Sequence, residues 1–201
     1  MLSARRPDPE PIALHDRAME NLRFIRETME RSQSFTAVSG GAGVVMGALA
    51  LAAAWLARVQ PTTERWMAIW LVTAALSFLV AVAGMALKSR AAGIPLRSGP
   101  GRKFVFGFAP PIVIGGFLTV ALYLHGQPQL LPGTWLLLYG TAVVTGGAHS
   151  VRIVPLMGIG FIFVGACALF APISWGDTFM AAGFGVLHVA FGMLVATRHG
   201  G

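Results

Sequence analysis

The residue best placed to do chemistry inside this chain is His188. It sits near the middle of the apolar stretch GFGVLHVAFG, flanked by glycines. An ionisable group at that depth is a functional candidate by default, either as a proton relay or as the one ligand of a haem or chlorophyll. The same imidazole, kept neutral, has one donor and one acceptor with which to join helices. Charging it there would cost at least ~2.5 kcal/mol on the insertion scale for Arg, Lys and Asp. The expectation is a neutral His188 that points into a bundle and touches the first, second or fifth span. A bis-histidine haem does not fit, because His125, His149 and His188 fall at three different depths. A metal cluster does not fit either, since no carboxylate or second histidine accompanies His188.

A second polar group lies nearer one end of the spans, where His149, Ser150 and Arg152 share a tight turn. Helix breakers gather at the same level: Pro110 and Pro111, Pro155, and the pairs Gly40-Gly41 and Gly146-Gly147. Each proline removes a backbone donor. Irregular backbone at membrane depth is tolerated only against protein or a water-filled cavity. His149, Arg152, Pro110, Pro111 and Pro155 are therefore candidate walls of a pocket opening to the cytoplasm, with His188 above it. A kinked bundle with snorkelling side chains accounts for the same residues without a ligand. Asp177 reads as structural, because Ser174-Trp-Gly-Asp177 has the spacing of a capping box. Six spans with a histidine in the last resemble rhomboid proteases in outline. The stretch YGTAVVTGGAHS lacks that family's Gly-x-Ser-Gly nucleophile, and Phe191 replaces a glycine of its histidine motif. No catalytic residue, metal site or cofactor is assigned.

The elements that position these residues follow from composition. Of 201 residues, 55 % are hydrophobic and 11 % charged, with a mean hydropathy of +0.69. A soluble domain carries about 25 % charge, so this chain reads as an integral membrane protein. Its one cysteine, Cys167, can form no intrachain bridge. Apolar stretches at 36–57, 66–87, 104–124, 130–148, 152–171 and 177–197 are each close to the ~20 residues that cross a bilayer core. The fold class is all-α: six transmembrane helices preceded by an N-terminal arm.

The net charge of +7 does not indicate nucleic-acid binding. Residues 1–33 hold six arginines and six acids, and the rest holds nine bases against Glu64 and Asp177. With the N-terminus inside, the inner segments hold thirteen Lys and Arg and the outer loops two, Arg58 and Arg65. That places both termini in the cytoplasm of a bacterial inner membrane. Trp55, Trp66, Trp70, Trp135 and Trp175 all fall toward the outer ends and form half of an aromatic belt.

Residues 13–32 have the period of an amphipathic helix, with Leu14, Ala18, Leu22, Ile25 and Met29 on one stripe. Charged pairs such as Arg23/Glu27 and Arg26/Glu30 share the other faces. This helix either lies against the bundle or docks a cytoplasmic partner. A weak internal repeat relates SFTAVSGGAGVVMGALAL, from Ser34, to SVRIVPLMGIGFIFVGACAL, from Ser150. It also aligns Trp66 with Trp175 and Gly84 with Gly192. The pattern implies a parallel repeat of helices 1–2 and 5–6 about the membrane normal. Glycine is abundant in the spans, as in Gly43-x-x-x-Gly47, which fits a tight or self-associating bundle.

Four stretches, NLRFIRETMERSQSFTAV, Ala109-Pro110-Pro111, HSVRIVPLMG and WGDTFMAAGFGVLHVAFG, resemble a family of uncharacterised small bacterial six-helix membrane proteins. They cover the arm and most of the spans. The resemblance implies the architecture and brings no activity with it; it implies small winged-helix regulators as partners for the arm. The sequence thus leads to a non-enzymatic membrane component, either a binding module or an accessory subunit of a larger complex. The alternative is a small oligomeric transporter or channel with its site near the inner leaflet.

Overall fold

The computed structural model describes residues 16–25, 38–91, 93, 99–148 and 150–199. Residues 16–25 form a helix that is exposed along its length, within a unit of its own, Met1–Gln33. The rest of the expected helix 13–32 lies outside the described residues. The second unit, Ser34–Gly201, is all-helical among its described residues, and six of its helices are long and apolar enough to cross a membrane. They are α1 (Gly40–Ala57), α2 (Thr63–Ala91), α3 (Gly99–Leu124), α4 (Leu131–Gly147), α5 (Ile153–Phe170) and a composite α6. The last is built from Gly176–Met180, a π-helical stretch Ala181–Leu187 and His188–His199.

Local chemistry sets the helix ends. Ser39 caps α1, its hydroxyl accepting from the Ala42 N–H, so this helix starts four residues later than the apolar run suggests. α3 closes on Gly126, whose φ of 69° is left-handed. Gln127 N–H bonds Leu122 O at 2.8 Å and Gly126 N–H bonds Tyr123 O at 3.1 Å, the paired bonds of a Schellman motif. Pro132 sits in the first turn of α4 and Pro155 in the first turn of α5, which follows its N-cap Arg152. Those positions have no intrahelical partner for the missing N–H.

Packing follows the small residues. α1 and α6 run antiparallel with backbone nearly against backbone. A Cβ at Gly192 would lie 2.7 Å from Val44 N, and one at Gly40 would strike Ala196 and Gly192. α4 and α5 make the matching seam, where a Cβ at Gly140 would lie 2.7 Å from Gly158 O. α2 rests on α1 at Gly84, and α3 rests on α4 at Gly107 and Gly146. α5 also packs along α6. A two-fold rotation carrying α1 onto α5 and α2 onto α6 would carry the α1–α6 seam onto an α5–α2 seam, and those two helices share no comparable contact. The core lies where α1, α2, α4, α5 and α6 meet, around Ala50, Ala54, Trp70, Leu136, Phe161 and Met180.

Candidate functional site

His188 is buried, 4 % exposed, at the centre of the bundle. Its Nδ1 lies 2.9 Å from Phe184 O and its Nε2 2.7 Å from the Tyr139 hydroxyl on α4. A carbonyl can only accept, so Nδ1 carries the proton. A neutral ring then accepts the Tyr139 O–H at Nε2. The His188 backbone N–H goes to Gly185 O, and it is the imidazole that reaches Phe184 O.

Aromatic rings close the remaining sides. Phe161 of α5 lies 5.2 Å from the imidazole, and Tyr139 is 4.8 Å from Phe161 and 5.1 Å from Phe184. His188 therefore points inward and meets α5, as expected. Its hydrogen-bond partner stands on α4, which the sequence did not indicate. A haem or chlorophyll ligated at Nε2 would have to displace Tyr139.

The structure does not gather the other candidates around this ring. Pro110 is exposed on the apolar outer surface of α3 and Pro111 is half-buried. α3 runs through both without interruption. The missing N–H of Pro111 would leave the Gly107 carbonyl, four residues back, without its helical donor. The Thr145 hydroxyl of α4 lies 2.7 Å from that carbonyl and 2.8 Å from Thr141 O of its own helix, between which its one proton is shared, so the disturbed turn faces protein. Pro155 packs beside Gly147 at the α4–α5 seam, and Arg152 is exposed at the start of α5. His149 lies outside the described residues.

The opposite, tryptophan-bearing end carries more polar organisation. Asp177 Oδ1 accepts the indole N–H of Trp66 at 2.8 Å and of Trp70 at 3.3 Å. No side-chain cap opens the helix at this point, so the expected capping box gives way to a link between α6 and α2. Trp66 stacks on Trp135 of α4 with ring centres 5.5 Å apart. Trp135 donates to the Thr119 hydroxyl of α3 at 2.8 Å. The Tyr123 hydroxyl donates to Glu64 at 2.9 Å.

These bonds correct the belt as well. Trp55 and Trp175 are exposed at 63 % and 55 %, whereas Trp70 is buried at 4 %, and Trp66 and Trp135 are packed against the core. A donor N–H on a large apolar ring suits such a junction as well as it suits an interface. Beside this network an open cleft of about 900 Å³ is lined by Leu51, Trp55, Arg58, Trp66, Asp177 and Thr178, among others.

Among the described residues no three His, Cys, Asp or Glu side chains gather into a metal-holding group. The arrangement offers two chemistries: a buried, internally satisfied histidine–tyrosine pair, and an open cleft with Arg58 and Asp177 on its walls. No family model matches the chain, and neither a curated protein nor a solved structure matches it.

Proposed function

We propose that the chain is a non-enzymatic component of the bacterial inner membrane, with both termini in the cytoplasm, serving as an accessory subunit or binding module of a larger membrane complex. The observation that carries this reading is the contrast between helices. The spans of α2 and α3 are 6 % buried and that of α4 is half buried. α2 packs on α1 and α3 on α4 along one side each, and both leave most of their apolar surface to other membrane protein or to lipid. The sealed core supports the same reading. His188 has both nitrogens engaged, so it serves as interhelical glue and needs no solute. The arm helix offers its apolar stripe to a cytoplasmic partner.

Isolation of the tagged chain from native membranes in mild detergent tests the proposal. A membrane protein copurifying in fixed ratio is the expected result. It should cross-link to a cysteine placed at Phe78 of α2 or Phe117 of α3, both exposed. A lone or self-associated chain that moves solute across vesicles would replace this reading with the transporter.

A further inference from the structure

The cleft at the tryptophan-bearing end has walls of a definite chemistry. It lies where α1 ends, α2 begins, and the lead-ins Pro128–Leu130 and Ile173–Trp175 enter α4 and α6. Each of these points is the end of a span, so the cleft sits at headgroup level of a bilayer. Asp177 is fixed on one wall by two indole donors, both on Oδ1. A carboxylate has roughly four acceptor positions, so this one, which lines the cleft, retains acceptor capacity beyond the two indoles. Such a group takes N–H donors, and a charged one best. Arg58, exposed at the end of α1, lines the same cleft. Its guanidinium suits phosphate. Leu51 and Trp55, which also line it, are exposed along α1 toward the apolar span and offer a path for hydrocarbon. An anion, a cation and an apolar exit at interfacial depth together describe a headgroup holding an ammonium and a phosphate.

We propose that this cleft binds a phosphoethanolamine lipid, its primary ammonium on Asp177, its phosphate on Arg58 and its acyl chains along Leu51 and Trp55. The site stands apart from the subunit reading: a chain without protein partners would lose that reading and keep this one.

The experiment is lipid titration of the delipidated full chain in mild detergent, read by native mass spectrometry. Phosphatidylethanolamine, phosphatidylcholine and phosphatidylglycerol of identical acyl chains are compared. The ethanolamine lipid should bind roughly tenfold more tightly than either of the others, the scale of one charge-assisted hydrogen bond. Asp177→Asn keeps a carbonyl oxygen for the two indoles and removes the charge, and it should bring the ethanolamine lipid down to the choline level. Arg58→Gln, on an exposed turn, should weaken all three lipids, since each carries the phosphate, and leave the ethanolamine preference in place. Equal binding of all three lipids by the unaltered chain would overturn the proposal without reference to any variant. So would an ethanolamine preference that survives Asp177→Asn. Glycerophosphoethanolamine, which lacks acyl chains, should bind far more weakly, and equal affinity for it would assign the cleft to a soluble ligand and overturn the lipid assignment.

Discussion

At the scale of single residues, the buried polar groups are matched in pairs that a bilayer interior enforces. His188 uses one donor and one acceptor, and Tyr139 supplies the hydroxyl that completes it. Removing that hydroxyl leaves an imidazole nitrogen without its donor, among the rings of Phe161, Phe184 and position 139. We expect Tyr139→Phe to lower stability in detergent by roughly 1 kcal/mol, within the range measured for hydrogen bonds between membrane helices. His188→Gln should cost less, because Gln retains a donor and an acceptor. A double-mutant cycle on Tyr139→Phe and His188→Leu would measure the coupling. Additive effects would show that the 2.7 Å contact contributes nothing beyond packing. Thr145 meets the carbonyl that Pro111 opens at Gly107 from a neighbouring helix, sharing its proton with Thr141 O.

At the scale of helices, the seams depend on what is missing from the side chains. The hydrophobic effect does not drive helices together in lipid, so close backbone approach and van der Waals contact do. A methyl added at Gly192 would stand 2.7 Å from the Val44 nitrogen, and backbone cannot yield as a flexible side chain can. Gly192→Ala should therefore push α1 from α6 and destabilise by about 1–3 kcal/mol, the usual cost of overpacking. Gly116 of α3 meets nothing within 4 Å. Gly116→Ala should be neutral or stabilising by up to about 1 kcal/mol through helix propensity alone. Thermal melts of the two variants in one detergent give the comparison. A Gly192→Ala protein as stable as its parent would show that the seam is not close-packed in the detergent-solubilised protein.

For the whole molecule, the testable property is its orientation. The distribution of thirteen basic residues against two predicts cytoplasmic termini. A fluorescent protein fused at Gly201 should be bright and alkaline phosphatase at the same point inactive. Active phosphatase there would reverse the molecule and place the Asp177 cleft on the cytoplasmic side.

The sequence by itself determined the number of spans, their near boundaries and the all-helical class. Expected and observed spans differ by a few residues at most, as at Ser39, where the capping hydroxyl and not the apolar run starts α1. Those properties are local: about twenty apolar residues must satisfy their own backbone, and a helix does so without help from elsewhere in the chain. The tertiary structure alone decided which side of each helix faces which neighbour. These helices are apolar on nearly every side, because lipid is as apolar as the core, so no periodicity marks an inward stripe. For that reason Tyr139, 49 residues from His188, gave no signal in the sequence. Trp66 and Trp70 read as interface markers until Asp177, more than a hundred residues away, tied both to α6, with Trp70 buried and Trp66 half-buried. The prolines were legible as disturbances of the backbone. That the disturbance at Pro111 turns toward protein depends on Thr145 standing opposite Gly107, and only the packing of α3 on α4 brings those two residues together.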